Sequence, residues 1–314
     1  MPQMTPASAR VVDPILSNVA RGYSNSAFVG NALFPSVPVQ QRGGKIISFG
    51  KEAFMTYATG RAPGADTRRI QIGYTAGSYA LEQFSLEALV PFELQEEAQA
   101  VPGINLASGA IRTVQDIIAL RLEQAQATLA TTAGSYAAAN KTTLSGTSQW
   151  SDLTTGVSDP IKDIEVAKEA IRTACGLRPT VIVMGALVAS KLRQHPKILD
   201  RIKYTGRDVP TTELFGALFG VKQVLIGDAI QATDAGVFSD VWGKFVVVAY
   251  ADPGSIADPS RPSYGYTYRL GGFPIVEQPY QDRNAKSWIY PVTDEVAPVL
   301  AGAEAGYLIS AAVA

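Results

Sequence analysis

Residues 105–132 read NLASGAIRTVQDIIALRLEQAQATLATT, and the reading of this stretch decides the fold. Ile111, Val114, Ile118, Leu122, Ala125 and Leu129 recur at intervals of 3, 4, 4, 3 and 4 residues, the period of one apolar stripe on a helix. A helix from Asn105 to Thr132 is about 40 Å long at ~1.5 Å per residue, well beyond the usual run of about 11 or 12 residues. A compact enzyme seldom needs such a rod. Arg112, Gln115, Asp116, Glu123 and Gln126 fall off the stripe, which leaves a second face predicted to meet solvent or a second subunit.

Upstream of the rod, residues 1 to about 40 carry Pro2, Pro6, Pro14, Pro35 and Pro38 among small polar residues. Proline blocks regular helix and central strand, so this segment reads as an extended arm. GGKIISFGKEAFMTY (Gly43–Tyr57) and TRRIQIGY (Thr67–Tyr74) then show loosely alternating β-type residues, separated by ATGRAPGAD with its turn residues Gly60, Pro63 and Gly64. The pair predicts a long hairpin. Lys45, Lys51, Glu52, Arg61, Arg68 and Arg69 make its flanks too polar to be sealed inside a monomer core.

Downstream, TLSGTSQWSDLTTGVSDPIKDIEVAKEAIRTACGLRPTVIVMG (Thr143–Gly185) runs from a polar loop through a helix into a strand. Ser158 or Asp159 can cap the helix, Pro160 suits its first position, and Ile161, Ile164, Ala167, Ala170, Ile171 and Ala174 keep helical spacing up to Gly176. TVIVM (Thr180–Met184) is an unbroken apolar run predicted to be a buried strand, followed by helix over Ala186–Gln194. Val221–Ile226, Phe245–Tyr250, Tyr264–Arg269, Pro274–Gln278, Ala285–Val292 and the terminal AGYLISAAVA continue as strands. No period of about 20 to 50 residues recurs, which excludes a solenoid or propeller.

Composition narrows the function further. The chain has 314 residues, 46% of them hydrophobic, with 27 Lys plus Arg against 28 Asp plus Glu. Without a basic excess, tight nonspecific binding of nucleic acid is not its main task. No apolar stretch approaches the ~20 residues that span a bilayer, and the first residues show no signal peptide, so we expect a soluble protein, intracellular where it is made. One cysteine, Cys175, and one histidine, His195, exclude an intrachain disulfide and a structural zinc site.

Catalytic motifs are missing as well. No stretch fits a phosphate loop, a zincin, a nucleophile elbow or an EF-hand. GALFGVKQ at Gly216 is one residue short between its glycines and lacks Ser or Thr after Lys222. Cys175 and His195 could pair as nucleophile and base, but a small buried thiol at a helix end and an exposed histidine before Pro196 is the plainer reading. Glu93, Glu96 and Glu97 read as a solvated face of a helix that begins near Pro91 rather than as paired acids. Trp150 and Asp152 read as an aromatic anchor with a local Asp turn, and Tyr264, Tyr266 and Tyr268 as one packed face of a strand. No catalytic, cofactor or metal site results.

Taken in order, NALFPSVPVQQRGGKIISFGKEAF, GRAPGA, LEQAQATLA, TLSGTSQWSD and DPIKDIEVAKEAIRTACGLRPTVIVMGALVASKLRQHPKILDRIKY resemble the major capsid proteins of tailed bacteriophages, whose fold is shared with herpesvirus shells and encapsulins. The resemblance implies an α+β fold with an N-terminal arm over residues 1–42, an extended β-hairpin or E-loop over 43–79, and a peripheral domain over 80–142 around the rod as its spine helix. An axial α/β domain over 143–283 follows, its tip meeting its copies around five-fold and six-fold axes, and residues 284–314 return to the peripheral sheet. Cys175 becomes a core thiol.

The implied function is self-assembly through hexamers and pentamers into an icosahedral shell that encloses packaged double-stranded DNA with weak contact only. The place is the virion, assembled in the host cytoplasm. Implied partners are copies of the chain, a scaffolding protein, a portal and a decoration protein, with no membrane and no cofactor. Lys51, Arg61, Pro63, Arg68 and Arg69 are the candidate inter-subunit contacts. Some relatives carry a long amino-terminal scaffolding segment that is cleaved; this sequence starts almost at the arm, which implies a separate scaffolding protein or a segment already removed. Some also crosslink an E-loop lysine to a neighbour's asparagine; Lys45 and Lys51 are available, and Asn284 is not matched to the partner position. The alternatives are an encapsulin-like compartment shell and a soluble enzyme with an unrecognised carboxylate site.

Overall fold

Capping chemistry starts and stops the helices where the sequence marks them. A computed structural model of the chain describes residues 28–46, 60, 69, 77–99, 105–154, 156–203, 211–233, 235–251 and 263–314. The described helices are α1 (Gly30–Leu33), α2 (Phe92–Gln99), α3 (Leu106–Thr131), α4 (Pro160–Cys175), α5 (Ala186–Arg193), α6 (Pro196–Ile202) and α7 (Thr212–Phe219). Asn105 caps α3, its side chain accepting from the Ser108 N–H at 3.1 Å. Asp159 caps α4 by accepting from the Lys162 N–H, Pro160 fills the first turn, and Gly176 closes the helix at φ 72°. Gly220 closes α7 in the same left-handed conformation, so the glycines of GALFGVKQ belong to a helix and its stop.

The strands are β1 (Ser36–Val39), β2 (Gly43–Ile46), β3 (Gly77–Ala80), β4 (Glu82–Pro91), β5 (Lys141–Thr143), β6 (Val181–Gly185), β7 (Gln223–Gly227), β8 (Ile230–Ala232), β9 (Phe238–Asp240), β10 (Val246–Ala249), β11 (Gly265–Leu270), β12 (Ile275–Val276), β13 (Tyr280–Asp282), β14 (Ser287–Leu300) and β15 (Gly306–Ser310). Among the described residues they form a six-stranded sheet, a five-stranded sheet and two two-stranded ribbons. In the first sheet the 14-residue β14 is the axis: it pairs antiparallel with β4 from Ser287↔Pro91 to Val296↔Glu82, and with β11, β12 and β13. β1 adds to β11 in parallel. The second sheet runs β5-β15-β10-β6-β7. This mixture of helices and segregated sheets bears out the α+β expectation.

The five-stranded sheet is covered on both faces, which is why TVIVM is apolar without alternation. Ile182 and Met184 join Val246, Val248, Tyr307 and Ile309 in a core beneath Ile164, Ala167 and Ile171 of α4. Val181 and Val183 join Val247, Ala249 and Leu308 in the opposite core, with Leu33, Phe34, Trp242 and Ala127 and Ala130 of α3. The other end of α3 packs Ile111 and Val114 on Val90, Tyr290 and Val292 of the first sheet. A helix of 26 residues is therefore long enough, at ~1.5 Å per residue, to bridge both sheets.

Four expectations need correction or restriction. Gln115, Glu123 and Gln126, predicted to lie on a free face of the rod, are buried, whereas Ile118, Ala125 and Leu129 of the predicted stripe are only half-buried. The helix is rotated because residues 29–31 and Trp242 dock against its polar side. His195 is buried rather than exposed, because its ring caps α6. Residues 284–314 do not return to one sheet: β14 lies in the first, but β15 pairs with β10 and β5 in the second, where its four buried residues Gly306–Ile309 find cover on both faces. Of the predicted hairpin, only the root is described, as β2 paired with β3 from Gly43↔Ala80 to Ile46↔Gly77.

Candidate functional site

The features with the densest polar chemistry are joints rather than a cleft. At the first, the carboxylate of Glu123 on α3 is buried. Its Oε1 accepts from the Val29 N–H (2.9 Å), the Gly30 N–H (3.0 Å) and the Trp242 indole N–H (2.7 Å), while Oε2 accepts again from Gly30 (2.9 Å). One turn on, the Gln126 amide donates to Asn31 Oδ1 and Thr267 Oγ1, and Thr267 donates to the Phe34 carbonyl. The arm, the long helix, β11 of the first sheet and the loop that leads into β10 of the second are thus tied by one network. Burial raises the Glu123 pKa, opposed by the Trp242 and backbone hydrogen bonds. Gly30 is required here: a Cβ would sit 2.2 Å from Gln126 Oε1 and 2.8 Å from Glu123 Oε2.

The second joint holds the root of the β2–β3 ribbon. Arg42, at the start of the ribbon, makes a bidentate pair with the buried Glu295 of β14, Nε to Oε2 at 2.8 Å and Nη2 to Oε1 at 3.0 Å. The next residue, Asp294, is also buried and pairs with Arg269 of β11 at 3.1 Å. Burial raises the Asp294 pKa, and the Arg269 charge opposes that rise. Tyr79 of β3 stacks on Tyr268 with ring centroids 4.3 Å apart.

None of the sequence-level alternatives assembles a reactive centre. The Cys175 thiol is half-buried and donates to the Ile171 carbonyl, and burial pushes its pKa up, away from thiolate character. His195 Nδ1 accepts from the Lys197 N–H at 3.3 Å, so the neutral ring carries its proton on Nε2 and donates to Ser158 Oγ at 3.2 Å. A ring in that tautomer cannot take the serine's proton. Burial first, then Lys197, lowers the His195 pKa against the pull of Asp159. Trp150 is buried, its indole donating to Asp163, and Asp152 accepts from the Thr154 N–H two residues on, an anchor and a local turn. Tyr264, Tyr266 and Tyr268 are all buried. Glu93, Glu96 and Glu97 are exposed on α2. Among the described residues no group of three His, Cys, Asp or Glu could hold a metal, and no helix is long and apolar enough to cross a membrane.

Of the candidate inter-subunit contacts, Arg69 is exposed, and Lys51, Arg61, Pro63 and Arg68 lie outside the described residues. Sequence reasoning missed the Glu123 and Glu295 joints. The available signal was their placement, a lone Glu off an apolar stripe and an Asp-Glu pair within an apolar strand, PVTDEVAPV.

No protein-family model matches the chain. The chain is 40% identical over 306 residues to the major capsid protein of Burkholderia phage BcepMu, covering 96% of each. Among solved structures, a phage-related protein from Bordetella bronchiseptica RB50 shares 46% identity at a TM-score of 0.83, over 96% of this chain and 98% of that one. The mature capsid of bacteriophage PhiM1 is similar in fold alone, at 15% identity and a TM-score of 0.52 over 92% of this chain and 87% of that one. So is the SrpI encapsulin of Synechococcus elongatus, at 11% identity and a TM-score of 0.52 over 95% and 94%.

Proposed function

The chain belongs to the major capsid proteins of bacteriophages, and from that premise we propose how its parts build a shell. It is a structural protein of the icosahedral capsid and a component of the virion, and it assembles with copies of itself. The observation that carries the reading is the 40% identity across 96% of the chain to a major capsid protein. The encapsulin likeness reaches only the fold, so it adds no second reading.

The six-stranded sheet with α3 is the peripheral domain and most of the five-stranded sheet with α4–α7 the axial domain. The ribbon over residues 43–79 is the E-loop laid on a neighbour, with Lys51, Arg61, Pro63, Arg68 and Arg69 as its contacts. Hexamers and pentamers are the building units, and a scaffolding protein, a portal and a decoration protein engage the shell. DNA is held by confinement, in keeping with 27 basic against 28 acidic residues. The chain performs no catalytic step. What supports this division is the two joints: Glu123 and Glu295 bind the arm and the ribbon root to a rigid body, as a subunit with projecting contacts requires.

Electron microscopy of the purified protein tests the reading. Closed shells are expected, and a monodisperse monomer under all assembly conditions overturns it. Arg61→Glu should weaken assembly, followed by light scattering, more than it lowers the melting temperature of the free subunit, because an exposed charge contributes little to monomer stability. Normal assembly by that variant removes Arg61 from the contacts.

A further inference from the structure

The β8–β9 ribbon presents an apolar face that stands exposed, uncovered by any of the described residues. Its cross-strand pairs are Ile230↔Asp240, Gln231↔Ser239 and Ala232↔Phe238, which puts Ile230, Ala232, Phe238 and Asp240 on one face. The other face is polar, with Gln231 donating to Ser239. On the apolar face Phe238 is 70% exposed and Ile230 54%. A lone ribbon with three residues per strand is marginal in water.

A concave counterpart lies elsewhere on the same chain. A groove of about 620 Å³ between α3, β4 and β14 is lined by Phe84, Ile118, Ala125, Leu129 and Val299, with the ribbon root at Tyr79 along its edge. These include the half of the sequence stripe that the fold leaves partly uncovered. Arg121 also lines it, exposed, with its guanidinium 4.1 Å from the Phe84 ring centroid and no carboxylate partner among the described residues. Glu82 is the acidic residue of the lining.

We propose that the β8–β9 ribbon of one copy seats in the α3 groove of a neighbouring copy, Phe238 in the apolar channel and Asp240 against Arg121. The inference rests on the capsid reading and assigns it a specific contact. At Arg121 charge favours this occupant: residues 228–240, DAIQATDAGVFSD, hold three aspartates and no basic residue, whereas residues 43–79 hold five basic and two acidic residues and would bring like charge to that guanidinium. A chain cannot fill its own groove simply. Its ribbon emerges at Trp242, which is bonded to Glu123, and Glu123 lies about 160° around the helix from Arg121 and Ala125 at 3.6 residues per turn. Tip and groove are different patches, so the contact is head-to-tail, and a head-to-tail contact closes rings when its rotation permits.

A charge swap tests it, with wild type assembled in parallel. Asp240→Arg and Arg121→Asp should each raise the protein concentration needed for shells about fivefold, the effect of ~1 kcal/mol per contact, and the double variant should return to within about twofold of wild type. Wild-type behaviour of Asp240→Arg, or a double variant no better than the worse single one, overturns the contact. In a Cys175→Ser background, Phe238→Cys with Ala125→Cys should give an intermolecular disulfide ladder from oxidised shells. Shells without a ladder, or with Ala125→Cys protected from maleimide but not linked to position 238, put another segment in the groove and also overturn it. Failure of wild type to form shells would instead sink the capsid reading.

Discussion

Replacing Glu123 by alanine should loosen the arm and the junction of the two sheets together. Three donors, the N–H groups of Val29 and Gly30 and the Trp242 indole, lose the oxygen they share. A buried donor without a partner costs about 1–3 kcal/mol, so the gross loss is ~3–9 kcal/mol. Removing a carboxylate that burial disfavours offsets part of it, leaving a net loss of about 3–5 kcal/mol, the range for breaking a buried polar partnership. For a chain of this size that is a fall of ~6–10 °C in melting temperature, at about 2 °C per kcal/mol. Glu123→Gln keeps an oxygen at the Oε1 position, where all three donors converge, and should cost only ~0.5–1.5 kcal/mol.

The pH dependence follows from the sign of the shift. A carboxyl whose folded pKa is raised stabilises the fold below its ordinary value of 4.5 and loses that contribution as pH rises through the folded value. Wild type should therefore gain on Glu123→Gln as pH is lowered from 7 towards 4.5. Thermal melts of the unassembled subunit across that range decide it. If Glu123→Ala melts within 2 °C of wild type, or Glu123→Gln is as damaging as Glu123→Ala, the shared-acceptor argument is wrong.

Two glycines give opposite expectations. Gly185→Ala should abolish soluble protein or cost several kcal/mol, since its Cβ would lie 1.9 Å from the Gly243 carbonyl oxygen, whereas Gly109→Ala, with nothing within 4 Å inside α3, should stabilise by about 0.5–1 kcal/mol in urea melts. Burial pulls the Asp159 pKa up, but the Lys162 N–H and the Lys197 charge outweigh it and hold it below 3.8. Its contribution is present above that value and lost as pH falls through the folded one, so Asp159→Ala should cost ~1 kcal/mol at pH 7 and progressively less below pH 3.8. Cys175→Ser should assemble at wild-type yield by electron microscopy. His195→Ala should also assemble but melt lower by about 1–3 kcal/mol, because Ser158 and the Lys197 N–H lose their partner.

How much of this protein was legible beforehand depended on how local the physics is. Caps, turns and apolar spacing act over four or five residues, so Asn105, Asp159, Pro160 and Gly176 marked helix ends that the structure keeps. The unbroken apolar run at Thr180–Met184 announced a strand covered on both faces. The absence of motif chemistry was also readable, because thiol nucleophiles and soft metal ligands need Cys and His, which this chain has once each, and a phosphate loop needs a spacing of Gly, Lys and Ser or Thr that the chain lacks. Which face of the long helix turns inward was not readable. Apolar spacing favours Ile118, Ala125 and Leu129, but the donors of Val29, Gly30 and Trp242 come from 93 or more residues away in sequence and turn Glu123 into the core. His195 went the same way, buried because Ser158 lies against its ring. The placement of β15 beside β10 rather than β14 was likewise decided by long-range pairing. Short-range rules determine where elements begin and end; only the packed structure decides which polar groups find partners, because a buried carboxylate is tolerated solely where distant donors meet it.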